Sequence, residues 1–209
     1  MKIFDKIWHK DDKTVEPELQ KVAEMVESGK SNKVYPILKP GDWVGIQNGA
    51  LRKTLIGTPE NPELVIAFGY DTPSNFFFLT QHDLQRLDPD QVLKDAYKNL
   101  EEYEVEIEVS QNLGGKVLFC SGRDFCSEKI LLPQFMMAAH QLLGAEKLLV
   151  SIPRRRCMMI MGQTQDRDLM RVFLHLHGEA WKDDSYGNPP IANIIFQVEK
   201  GEIEGFKKC

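Results

Sequence analysis

No stretch of this chain approaches the roughly 18 consecutive apolar residues that a membrane-spanning helix needs. The N-terminus, Met1-Lys2-Ile3-Phe4-Asp5-Lys6, is charged from its start and lacks the apolar run and small-residue cleavage site of a secretory signal. A cytoplasmic protein with no membrane association is therefore predicted. Cysteine is scarce, with four residues in 209. Cys120 and Cys157 lie in apolar runs where the thiol acts as a small hydrophobe, so no structural disulfide is expected. Positive charge is in deficit: the net charge of -5 argues against nonspecific phosphate binding by the whole protein, and nucleic acid is not the expected partner. The chain has no Cys-x-x-Cys, His-Glu-x-x-His, Walker loop, Gly-x-Gly-x-x-Gly or Gly-x-Ser-x-Gly element, so no metal and no cofactor is predicted.

What is present is ordinary globular material, 42% apolar and 27% charged. Its length suits one domain. Residues 1–15 read as a loose charged arm and residues 16–209 as a single α+β domain. The expected sheet is mixed or mainly antiparallel, with about four helices and a C-terminal β-hairpin. The first helix should run from Glu16 to about Lys30, with Pro17 and Gly29 as its end signals. Residues 31–62 are rich in Pro, Gly and Asn and read as a loop-rich extension or a divergent sheet edge. Leu64 to Phe68 and Asn75 to Leu79 predict a hairpin. Asp88-Pro89-Asp90-Gln91 opens a helix striped by Val92, Ala96, Tyr97 and Leu100.

Glu104 to Val109 alternates charged and apolar residues as a half-solvated strand does, with Val105, Ile107 and Val109 inward. Lys116 to Cys120 is the next strand, entered from a Gly114-Gly115 turn. A helix over Ser127 to Leu143, a strand pair over 147–152 and 156–161, and a helix over Asp166 to Trp181 follow. Ile194 to Phe206 closes the chain as a hairpin around Lys200-Gly201.

Taken together, Val34-Tyr35-Pro36-Ile37-Leu38, the segment Asp90 to Leu100, the segment Asp124 to Pro133 and Val150-Ser151-Ile152-Pro153-Arg154 resemble the YtpQ-like bacterial family of unknown function. The resemblance spans roughly residues 30–207. The family carries no established activity, so the resemblance implies no residue roles. Arg156 stands where the family commonly has an acidic residue.

The candidate site is built from two polar turns, Ser121-Gly122-Arg123-Asp124 and Pro153-Arg154-Arg155-Arg156. They interrupt apolar strands and can meet at one end of a sheet. Successive guanidinium groups offer forks to carboxylate or phosphate. The first expectation is accordingly a noncatalytic binding or regulatory module that engages an acidic protein or anionic ligand through Arg123, Asp124, Arg154, Arg155 and Arg156. The plainer reading pairs the arginines with Asp124 or Glu128.

Asp124 is either a helix cap or, if buried, an acid/base group. A hydrolase using Asp124 and Cys126 is the alternative from another class. His140 reads as a core histidine. His175 and His177, two apart on a helix, point about 200° from one another and do not share an ion. Three adjacent phenylalanines, Phe76 to Phe78, cannot all face one side of a strand. They form either core or an exposed strand for a protein partner or a second copy.

Overall fold

The computed structural model describes residues 33–72, 75–121, 124–185 and 189–209. The arm over residues 1–15, the helix expected from Glu16 and the candidate residue Arg123 lie outside these. The described chain orders as β1 (Lys33–Pro40), β2 (Arg52–Gly57), β3 (Pro62–Asp71), β4 (Phe76–Phe78), α1 (Pro89–Glu102), β5 (Glu108–Val109) and β6 (Val117–Ser121). Then come α2 (Pro133–Leu143), β7 (Lys147–Arg154), β8 (Cys157–Gly162), α3 (Arg167–Lys182), β9 (Ile194–Glu199) and β10 (Glu202–Lys208). Among the described residues there are three α-helices rather than about four, and the strands make two sheets rather than one. Every strand pairing among the described residues is antiparallel. The α+β class holds. No helix among the described residues is long and apolar enough to cross a membrane.

The smaller sheet runs β1-β3-β2, with β4 pairing the far half of β3; the larger runs β10-β9-β7-β8-β6-β5. Period-two alternation divides each strand between two cores. Leu118 and Cys120 of β6, Met158 and Ile160 of β8 and Phe196 of β9 face the main core, which they share with Leu64, Ile66 and Phe68 of β3. Val92 and Ala96 of α1 and Met136 and Ala139 of α2 complete it. The opposite face of the larger sheet packs Leu149, Met159, Met161 and Ile195 against Phe173 of α3. The opposite face of the smaller sheet packs Tyr35, Ile37 and Ala67 against Leu100 and Phe125.

The prolines explain why β1 is an edge strand. Leu38 sends its N–H away from β3, so in an extended strand Pro36 and Pro40 share that outward parity. Neither lacks an N–H that the ladder needs. Pro153 is the harder case because β7 is central. It falls where the β7–β8 register shifts between Ser151 and Arg154, the bulge position that tolerates proline within a sheet.

Local end signals mostly act as read. Asp88 caps α1, accepting from the Asp90 and Gln91 amides, and Gly144 ends α2 in the left-handed region. The long middle helix does not form as one piece. Ser127–Leu131 is a short 3-10 helix, Leu132 is extended and α2 begins only at Pro133, because the residue before a proline is driven out of the helical region. The alternating segment 104–109 pairs only at Glu108 and Val109, and Val109 is exposed rather than inward.

The C-terminal hairpin turns through Lys200 (φ 51) and Gly201 (φ 83), two successive positive φ values as a two-residue type I′ turn requires. A Cβ on Gly201 would sit 2.7 Å from the Pro133 carbonyl oxygen, whereas one on Gly114, also at positive φ, meets nothing within 4 Å. Gly114→Ala should therefore show only the left-handed backbone penalty, on the order of 1–2 kcal/mol. Gly201→Ala should lose more, because the hairpin must also move off α2. Urea unfolding of both variants measures the difference, and equal losses would show that the Pro133 contact carries no weight.

Candidate functional site

The two polar turns do meet. Asp124 Oδ1 accepts from Arg156 Nε at 2.8 Å and lies 3.9 Å from Arg155 Nη2. Asp124 caps no helix: Cys126 stands at the start of the 3-10 helix, with no side-chain cap bond. Arg154 goes elsewhere. It is nearly buried at the end of β7, and its Nε and Nη2 donate to the Trp181 carbonyl at 3.0 and 2.6 Å. It thus neutralises the negative pole of α3.

The residues between Asp124 and α2 hold this region together. Ser127 Oγ lies 2.8 Å from the carbonyl oxygens of both Arg154 and Arg155, fastening the arginine turn. Glu128 is fully buried, and its Oε1 accepts the outward N–H of Leu38 on β1. Lys129, also buried, donates from Nζ to the Leu100 and Glu101 carbonyls at the end of α1. Three consecutive polar side chains therefore satisfy the open backbone of three different elements.

Charge and aromatic rings surround Arg155. Its guanidinium lies over Phe125 at 5.5 Å, and Phe125 stacks on Tyr35 at 4.4 Å and meets Tyr103 edge-on at 5.3 Å. Phe125 keeps φ 61, a costly backbone for a bulky residue, because its ring is locked by these partners. Two buried polar atoms here have no hydrogen-bond partner, Glu128 Oε2 and Arg155 Nε. Burial pushes the Glu128 carboxyl up to about 7, against the opposing Leu38 hydrogen bond and the charges of Arg155 and Lys39. Burial and the Arg155 charge push the Lys39 amine down. Its Nζ rests over the rings of Trp43 and Phe78, at 5.5 and 5.3 Å.

Several other residues are structural. Cys126 is buried and desolvation raises its thiol to about 12, so it does not supply a thiolate at neutral pH. His140 Nδ1 is 2.7 Å from the Ala145 carbonyl, and Nε2 receives the Gly201 amide at 3.4 Å, which ties α2 to the C-terminal hairpin. Phe76 and Phe78 turn inward, 4.9 Å apart, and Phe78 packs on Trp43. His175 is exposed and His177 buried, as their spacing predicts. Among the described residues no group of metal-ligating side chains is found.

Pattern reasoning missed a second locus. The outer face of the larger sheet is covered by α3 over β7 and β8, while Ile195 and Gln197 of β9 and Lys207 of β10 line a groove of about 660 Å³ beside it. Leu149, Met170, Phe173 and Leu174 supply apolar walls. At its base Asn193 Nδ2 donates to the Cys209 carbonyl, which turns Oδ1 toward His177 Nε2 at 3.0 Å. His177 Nε2 therefore carries the proton, and Nδ1 accepts the Ser151 hydroxyl at 2.8 Å. Burial lowers the His177 pKa, which keeps the ring neutral. The Ser-His-Asn chain has the bonding order of a nucleophilic triad, but Ser151 is fully buried, so its hydroxyl cannot reach a substrate. The sequence signal for this locus was Gly178 beside a histidine in an apolar helical stripe.

Compared with models of known protein families, with curated proteins and with solved structures, the chain matches none.

Glu128 sets a pH dependence. Its folded pKa of about 7 exceeds the ordinary 4.5, so between these values the folded state holds more protons than the unfolded one. Its contribution to stability then falls as pH rises from 4.5 to 7, by about 3 kcal/mol in all. Glu128→Gln should gain on the wild type across that window in chemical unfolding at stepped pH, and a constant difference would refute the assignment. Cys120 and Cys126, both held near 12 by burial, should resist iodoacetamide in the native protein while exposed Cys209 reacts. Peptide mapping of the alkylated protein reads this directly.

Proposed function

We propose that this protein is a noncatalytic binding module whose ligand occupies the groove between α3 and strands β7, β9 and β10. The observation that carries the reading is the groove itself: about 660 Å³, apolar in its walls, with the polar groups of its base already locked to one another. That volume and character suit a small molecule. The Ser151 hydroxyl below it is sealed, and the side chains that line it offer no paired nucleophile and base. Gly178 lies on the groove side of α3, and a Cβ there would meet nothing within 4 Å, so the helix wall is lowered where a ligand would pass.

A second reading keeps the expectation of an acidic partner or anionic ligand at the arginine turn. Its support is the buried Arg155 Nε without a partner. Against it, Asp124 already takes up Arg156, so an incoming anion must displace a carboxylate. The resemblance to the YtpQ-like family is compatible with either site and selects neither.

A thermal-shift series with twelve-carbon chains bearing different head groups tests the groove, because a ligand of the native state raises the apparent melting temperature. The wild type should be stabilised by at least one of them and Gly178→Phe, which fills the groove, by none. A shift that survives Gly178→Phe and vanishes in Arg155→Ala would transfer the site to the turn.

A further inference from the structure

We infer that the groove takes an amphipathic monocarboxylate, its head at the Lys207 end beside Trp181 and its apolar body lying along Ile195 and Phe173 toward Leu149. The inference rests on the groove being a ligand site and adds which ligand class enters and in which direction.

The direction follows from how the lining residues are distributed. α3 runs along the groove from Met170 to Lys182, a span of roughly 18 Å at 1.5 Å per residue. Near its start lie Leu149, on the first rungs of β7, and Gln163, the residue after β8. Near its end lie Trp181, Lys182 and Asn193, with Lys207 directly across from Ile195 on β10. One end of the groove is therefore uncharged, with Leu149 and Met170 beside the neutral Gln163, Thr164 and Gln197, and the other is cationic.

The charge follows from the balance at that end. Lys182, Lys207 and Lys208 line the groove and no aspartate or glutamate does. Lys182 is paired with Glu179 at 3.2 Å and Lys208 with Glu63 at 2.7 Å, whereas Lys207 has no ion pair with the described residues. One uncompensated cation matches one negative charge. A helix C-terminus ordinarily repels an anion, but here Arg154 occupies the Trp181 carbonyl, so the end of α3 is already neutralised. No arginine fork lines the groove, which favours a carboxylate over a dianionic phosphate that wants more donors.

Isothermal titration with dodecanoate and dodecyl phosphate below their micelle concentrations, and with dodecanol below its solubility limit, tests the proposal, with Trp181 fluorescence as a local readout. Dodecanoate should bind the wild type about tenfold more tightly than dodecanol, in the range of a charge-assisted contact. Lys207→Ala, an exposed change that leaves the fold intact by circular dichroism, should erase that preference and keep dodecanol binding. Gly178→Phe should abolish binding of both. Equal affinity for acid and alcohol in the wild type overturns the head-group assignment while the groove stands. Tighter binding of dodecyl phosphate overturns the carboxylate. Absence of all binding, or binding unchanged by Gly178→Phe, overturns the inference and the groove together.

Discussion

The fold depends on the requirement that buried backbone polar groups find partners, and Ser127-Glu128-Lys129 meets it for three elements at once. The turn after β7 presents inward carbonyls, β1 has an open edge facing the core, and α1 ends with unbonded carbonyls. Each exposed group would cost a desolvation penalty if left alone. Because hydroxyl, carboxylate and ammonium stand in that order, a shift of one residue would set like against like, so the run also fixes register. Beside it, Glu128 Oε2 and Arg155 Nε are the buried side-chain atoms among the described residues that are left without a hydrogen-bond partner.

Local rules carried most of the fold's vocabulary. Asp88-Pro89, Gly144 and Lys200-Gly201 act where their chemistry says, and the apolar runs at 116–120 and 156–161 form the strands expected of them. The errors came from tertiary context. A single helix from Ser127 to Leu143 is a sound reading by spacing, but Pro133 excludes Leu132 from the helical region. The three polar residues before the break are held by distant backbone that no periodicity reveals. The division into two sheets was equally out of reach, since residues 33–78 carry no local mark of pairing only among themselves.

The arginine run shows what sequence proximity hides. Three neighbouring guanidinium groups looked like one anion cradle, yet the bulge at Pro153 sends Arg154 to the end of α3 while Arg155 and Arg156 turn to Asp124. That the two turns could meet was legible from their positions at strand ends, but whether they do was not. That their charges would largely satisfy one another was open, and the groove went unseen because its walls come from four elements far apart in sequence. A helix of ordinary amphipathic spacing gives no sign that it is too narrow to cover a six-stranded sheet.

The edge chemistry of β1 reaches beyond the single molecule. Pro36 and Pro40 remove two outward donors, Glu128 occupies the Leu38 N–H, and Asn99 donates from its side-chain amide to the Val34 carbonyl at 2.9 Å. The strand is among the most apolar in the chain, with five successive buried residues from Val34 to Leu38, and an open edge of that kind is a template for intermolecular pairing. At the far end of the other sheet, β10 bears a register shift between Ile203 and Gly205 and closes on two lysines, which discourages strand addition there too. These two edges are thereby poor templates for strand addition, so pairing of one molecule's sheet with another's is discouraged at both.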